Sequence, residues 1–530
     1  MNRQLHAFII LLLLVSCSSV EKHNEQITKL HPVEDLNEDI DRIYEQLKRH
    51  HPRLYQFTSK EILDYKFDSL KNAITQPMNS RMFYKQLSQV TRFVGQGHMS
   101  ITPPTEQFDR KERKALNKMK FDITNLNFEY LDGKLIVVEA KGNDSLLVGS
   151  EVIMIQNEKP TDLINQYKKR FASDGYNTTF YNRILGTRFM TYYSYDKGRS
   201  DSISIRFKNS DSTFVKLYRR MPSDNKSLVS SQMDSLVQSK PKLKLTKAEK
   251  KAKKLKFKQM LKDRKKYGYD YKTQLNDRDL SFVGKDSTVA LLKIRGFNRG
   301  KYEEFYDETF KVLDSSGSGT LIIDLRNNLG GRLKEITYLY SYLTDKEFVM
   351  INPSEINSRS PLLTSVMSNS RPFGVKAFAA LLSPFIYGYD ALFKTQKSEG
   401  KLYYRFKASR LQEPKANNFK GKIYVLINGN SFSASSILCT KLHGDQRATF
   451  VGEETGGAYN GAVAGFYKVY ELPNSKIKAR IGLVHIDAPH KAEIDGYGIK
   501  PDINILPTYQ DRLKNIDSEL EWVLRAIDKE

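Results

Sequence analysis

Thr320-Leu321-Ile322-Ile323-Asp324-Leu325-Arg326-Asn327-Asn328-Leu329-Gly330-Gly331 decides the architecture of this chain. Its first six residues are a nearly unbroken apolar run. That is the composition of a strand buried on both faces, as in parallel sheets covered by helices. The tandem glycines after it let the backbone turn tightly and present bare N–H groups to a ligand or to developing negative charge. A purely structural turn has the same composition. Outward from this stretch, strand and helix patterns alternate from about Leu280 to Ile505. Val289 to Ile294 reads as a strand and Tyr302 to Leu313 as a helical stripe. Ile423 to Ile427 is a second buried strand, and Ala448 to Val451 leads into a glycine turn. The fold class expected is α/β.

The second strand runs into Leu426-Ile427-Asn428-Gly429-Asn430-Ser431-Phe432-Ser433-Ala434-Ser435-Ser436-Ile437. Small polar residues followed by a helix, expected over Ser433 to Leu442, place a hydroxyl at a helix N-terminus. Free N–H groups and the helix dipole favour an oxyanion there. Helix capping by serine uses the same residues.

Upstream, Leu36, Ile40, Ile43, Tyr44 and Leu47 recur at helical steps, as do Phe83, Leu87, Val90 and Phe93, with Asn79 or Ser80 as an N-cap. They predict a helical domain over 33–110. A strand-rich module follows over 115–222, with a strand at Lys134 to Val138 and a turn, a strand and a second turn over Val148 to Pro160. Its Asp201 to Phe207 run alternates as a half-buried strand should. A basic insertion is expected over 223–278, a core over 279–510 and a terminal helix over 511–530. Within the core, 353–418 mixes aromatic and polar residues and is a candidate lid.

The N-terminus reads separately. Arg3, the apolar run Ala7 to Val15, and Leu14-Val15-Ser16-Cys17 form a secretory signal too short to span a bilayer as a helix. It resembles the lipobox of bacterial lipoproteins, which implies cleavage after residue 16 and acylation of Cys17. The expected location is the cell envelope, at the outer membrane or periplasmic face. Residues 18–32 read as a flexible tether. Cys439 is the one other cysteine, so neither a disulfide framework nor a cysteine-rich zinc site is expected. No cofactor or metal is called for.

The chain has 530 residues and a formal net charge of +24. Half of that excess lies in Lys240 to Lys266, which holds fourteen Lys/Arg against two acids. Adhesion to anionic surfaces and a solvated helical insertion both fit this arm. Its aromatics are too sparse for base stacking, so nucleic acid is not an expected partner.

Together the two strand-end motifs resemble those of the C-terminal-processing and tricorn-type serine peptidases. So do Gly452-Glu453-Glu454-Thr455-Gly456-Gly457, Asp495-Gly496-Tyr497-Gly498-Ile499-Lys500-Pro501-Asp502, His51-Pro52 and Gly97-His98. The resemblance implies a crotonase-like core with a helical N-terminal domain and a PDZ-like module. It implies a serine peptidase of exported polypeptides that works through an acyl-enzyme. Ser433 is then the nucleophile and Cys17 the membrane anchor. Ala458 stands where one branch of the family has a lysine, so a Ser–Lys dyad is not expected. In the histidine-using branch His98 falls at the base position, and Asp495, with Glu493 as second choice, falls at the acid. The N–H groups of Ala434 and of Gly330 or Gly331 fall at the oxyanion hole. That branch has a serine before its histidine, where this chain has Gly97. The competing reading is a catalytically silent, lipid-anchored lipoprotein of the same fold that binds a peptide or apolar ligand.

Overall fold

The computed structural model describes residues 20–209, 212–222, 247–271 and 273–529. The leader, Cys17 and part of the basic insertion lie outside the described residues.

The core is a six-stranded sheet in the order Ile503–Asn504, Thr449–Gly452, Lys422–Ile427, Thr320–Asp324, Val289–Ile294 and Arg278–Val283. Only the last pair is antiparallel. Leu321, Ile322 and Ile323 are fully buried, and each such side chain contributes about 1.5–3 kcal/mol of hydrophobic stabilisation. Helices Tyr302–Ser316, Leu333–Tyr340 and Ala434–Gly444 bury Phe310, Leu339 and Leu438 in the same core cluster. Helix Ser518–Ile527 packs Val523 with Ile322 and Leu426 in a separate one.

The helical domain has helices Val33–His50, Lys60–Ala73 and Ser80–Thr91. Leu36, Ile40, Ile43, Tyr44 and Leu47 are all buried in it, and the Asn79 side chain accepts from the Arg81 and Met82 N–H groups as an N-cap. Within the tether expected over 18–32, Val20–Thr28 is instead a helix. Ile27 is buried, the Asn24 side chain donates to Gln107 O, and Gln26 donates to Asn474 O. Those long-range bonds dock a segment whose composition alone looks solvated.

The strand-rich module is an antiparallel sheet in the order Met119–Phe121, Thr213–Pro222, Ser202–Lys208, Glu151–Ile155, Lys134–Ala140 and Leu126–Leu131. Helices Pro160–Tyr167, Thr179–Thr187 and Phe189–Lys197 lie between its strands in sequence. The described part of the basic insertion contains one helix, Lys247–Tyr267.

A third sheet centres on the hairpin Gly461–Glu471 and Lys478–Asp487, with Ser100–Thr102 paired to its second strand. Ser354–Ile356 also pairs with that second strand, and Lys401–Tyr404 and Thr395–Ser398 extend the sheet. The segment 353–418, expected as a candidate lid, thus contributes three strands to this sheet, with helices Pro361–Val366 and Phe373–Tyr389 between the first and the other two. Strand pairing that joins residues more than a hundred positions apart leaves no local periodicity.

Candidate active site

The strand Lys422–Ile427 ends in a turn held by side chains. Ser431 Oγ donates to Leu325 O at 2.8 Å, and the Asn428 N–H donates back to Ser431 Oγ at 3.1 Å. Asn428 and Asn430 both donate to Asn327 Oδ1, lacing this turn to the one after Thr320–Asp324. The chain then turns sharply at Ser433, with φ 60° and ψ −121°, and starts helix Ala434–Gly444. A non-glycine residue held there is strained, and such strain is sustained only when the surroundings over-determine the conformation. Nucleophile elbows have this strand–turn–helix form.

Gly330 explains part of the constraint. A Cβ on it would lie 2.7 Å from Ala434 N and 2.8 Å from Ser433 Cβ, so only glycine lets the two turns close together. Its own N–H donates to Asn328 Oδ1 at 2.9 Å, and is therefore engaged. Among the described residues the Gly331 and Ala434 N–H groups have no acceptor, and both residues line the cavity at Ser433. Of the three donors expected, these two are available.

His98 follows the turn that ends the helical domain and is 6% exposed. Its Nε2 is 2.8 Å from Ser433 Oγ. The ring stacks on Phe432 with centroids 4.6 Å apart, which fixes its plane. Behind it, Nδ1 faces Asp174 Oδ1 at 3.9 Å. Asp174 is fully buried, and its Oδ1 accepts the Gly97 N–H at 2.7 Å. Both His98 Nδ1 and Asp174 Oδ2 are buried without a hydrogen-bond partner. A buried Nδ1 without a partner beside a carboxylate that still has a free oxygen favours a closer approach of the two, and apo catalytic hydrogen bonds are commonly long.

The carboxylate beside His98 is thus Asp174, and this corrects the acid expected at Asp495. Asp495 Oδ2 accepts instead from Gln56 Nε2 at 2.8 Å, and Gln56 in turn accepts from Gln96. Glu493 is exposed. The Asp495-Gly496 motif has a different task, which is to hold the loop that carries Asp174. Tyr176 N–H donates to Gly496 O at 2.7 Å, and a Cβ on Gly175 would lie 2.3 Å from Gly496 Cα. Asn177 adds bonds to Glu454 Oε1 and Thr455 O, from the glycine turn after Thr449–Gly452. The sequence signal for Asp174 was present only as the turn-like run Ser173-Asp174-Gly175-Tyr176-Asn177, with nothing to tie it to His98.

Gly97 also has a physical reason. A Cβ there would sit 2.8 Å from Phe432 Cζ, so the ring that orients His98 occupies the space a side chain would need. Ala458 is buried, and among the described residues no lysine lines the cavity.

That cavity, about 500 Å³, opens between the three units. His98, Gly331, Ser433 and Ala434 line it together with Tyr192, Tyr467 and Arg480. The Arg480 guanidinium lies 3.4 Å from the centre of the Tyr467 ring. Among the described residues no cluster of His, Cys, Asp or Glu could hold a metal ion.

Residues 288–505 match the model of peptidase family S41. No curated protein matches the chain. Mature CPAF is similar in structure, with 16% identity and a TM-score of 0.59 over 94% of this chain and 97% of that one. CPAF complexed with lactacystin gives 16%, 0.60, 94% and 98%. The photosystem II D1 C-terminal processing protease gives 12% and 0.41, over 92% of this chain and 96% of that one. The CPAF likeness extends the shared fold well beyond the core. The family match covers the segment that carries Ser433, and it supports a serine-type peptidase of the S41 kind.

Proposed function

We propose that Ser433, His98 and Asp174 are the nucleophile, base and orienting acid of a peptidase acting on exported polypeptides. The 2.8 Å contact between His98 Nε2 and Ser433 Oγ carries this reading. With the Nδ1 proton directed at Asp174, Nε2 is free to accept the serine proton as Oγ attacks the scissile carbonyl. Negative charge then develops on the carbonyl oxygen next to the Gly331 and Ala434 N–H groups. One such donor is typically worth roughly 10²–10³ in rate. The imidazolium returns its proton to the leaving amine, and water releases the acyl group by the same steps in reverse.

The core sheet supports a crotonase-like assignment. The antiparallel module, set against the site by Asp174, supports a PDZ-like role in presenting substrate, by strand addition at a sheet edge. The leader pattern supports acylation at Cys17 and a place in the cell envelope; palmitate incorporation lost in Cys17→Ser would test it.

The catalytic reading is tested by intact-mass labelling with a fluorophosphonate. A single adduct on the wild-type chain, absent from Ser433→Ala and His98→Ala, is the expected result. CPAF has been captured with lactacystin, and the same compound is expected to compete with the probe here. A folded wild-type chain that takes no adduct would overturn the assignment in favour of a silent binding protein.

A further inference from the structure

Helix Phe373–Tyr389, continued by the π-helical turn Asp390–Lys394, turns an apolar stripe to the outside of the molecule. Phe378, Leu381, Phe385 and Leu392 are 64%, 73%, 76% and 75% exposed. Their spacing of three, four and seven residues puts them on one face. The opposite face holds the helix to the protein through buried Ala379 and through Asp390, which accepts from Ser360 Oγ at 2.6 Å. The exposed stripe is therefore a consequence of how the helix is seated. Contiguous exposed apolar surface of this kind marks an interaction site.

The charges around the stripe select its occupant. Between Arg371 and Arg410 there are eight Lys/Arg and two acids, Asp390 and Glu399. Asp390 is buried, which leaves Glu399 as the one exposed acid of this segment. Lys401 pairs with Glu355, yet the segment that carries the stripe is basic in balance. A second copy of the chain would bring two such basic strips together. An anionic bilayer would instead take the apolar side chains into its acyl boundary and the flanking lysines at its headgroups. Tyr387 and Tyr389, each about half exposed, suit that boundary. Among the described residues no helix is long and apolar enough to cross a membrane, which fits a helix lying in the interface plane.

We propose that the stripe of Phe378, Leu381, Phe385 and Leu392 seats the peptidase on an anionic lipid surface. No residue of this helix lines the cavity at Ser433, so seating leaves the site free for substrate. The contact is separate from the catalytic reading and from acylation of Cys17.

The test places a local reporter in the stripe of the full chain. Trp522 is the one tryptophan, so Phe385→Trp in a Trp522→Phe background reports on position 385 alone. With phosphatidylglycerol–phosphatidylcholine vesicles the new indole is expected to shift to the blue and to be quenched by brominated acyl chains. Pure phosphatidylcholine should need roughly tenfold more lipid for the same effect. In the native-tryptophan background, Leu381→Asp with Phe385→Asp should lower vesicle binding by a similar factor while cleavage of a soluble peptide is unchanged. An indole still open to aqueous quencher on vesicle-bound protein would overturn the proposal. So would protection that rises with protein concentration, without lipid, alongside a dimer mass.

Discussion

Gly97 and Phe432 are in such close contact that a single methyl on Gly97 would lie 2.8 Å from the ring edge. The same Phe432 ring stacks on His98, and the Gly97 N–H binds the carboxylate of Asp174. One small residue therefore sets the position of both partners behind the serine. Gly97→Ser is expected to push Phe432 aside and to cut kcat by roughly 10²-fold, the scale of a 1 Å misplacement at a catalytic group. Phe432→Leu in the same chain should restore part of the loss. Peptide hydrolysis with the single and double variants checks this; equal rates in wild type and Gly97→Ser would refute it.

Asp174→Asn and Asp495→Asn separate the two acids. Asparagine at 174 keeps the shape but removes the charge that stabilises an imidazolium, and a loss of roughly 10²–10⁴ in kcat is expected. Asparagine at 495 can still meet Gln56, so kcat should change less than about tenfold. The reverse ranking would return the orienting role to Asp495.

The backbone strain at Ser433 predicts an unusual order of stabilities. Alanine removes the hydroxyl but keeps a Cβ at φ 60° and ψ −121°, whereas glycine accepts that conformation without strain. Ser433→Gly is expected to be more stable than Ser433→Ala by about 1 kcal/mol, despite the greater freedom of its unfolded chain. Both should be inactive. Chemical denaturation of the two variants gives the comparison directly.

Acid stability should reflect two buried histidines away from the site. His51 is buried with neither nitrogen hydrogen-bonded, and burial pulls its pKa down to about 3. His485 is likewise buried, and burial lowers its pKa well below the usual value, helped by Arg53, Lys491 and Lys401. Asp487 at 3.8 Å is the nearest acid. The unfolded chain takes up these protons near pH 6.5 and the folded chain does not. Stability is therefore full above about pH 6.5 and falls as pH drops towards 3, by up to about 1.4 kcal/mol per pH unit for each histidine. Denaturation midpoints at several pH values should show a shallower fall in His51→Gln than in wild type.

The parts of the fold that repeat locally were legible in the chain. The buried strand Thr320–Asp324, the stripe from Leu36 to Leu47 and the Asn79 cap each follow from side-chain period or capping chemistry within a few residues. Ser433 and His98 could be found because the motifs around them resemble those of a known family, and the structure brings the two side chains together. Asp174 was not legible, because its place beside His98 depends on tertiary contacts, the Gly97 N–H bond to its carboxylate and the packing of Gly175 against Gly496 more than three hundred residues away. Its neighbours are ordinary turn formers. Asp495 was read as the acid because the resemblance puts an acid just before the terminal glycine motif, but the glycines there mark close backbone approach.

His98 closes the helical domain, Asp174 lies in the strand-rich module, and Ser433 stands at a strand end of the core. Synthesis runs from the N-terminus and domains fold largely as units in that order, so the serine emerges last, into a molecule whose other two parts are already built. On the proposed roles, a chain still being made has a base and an acid with nothing to activate. A finished chain whose modules have come apart has a serine with no base. With roles so divided, the site exists only in the whole molecule, and separation of any one module removes it.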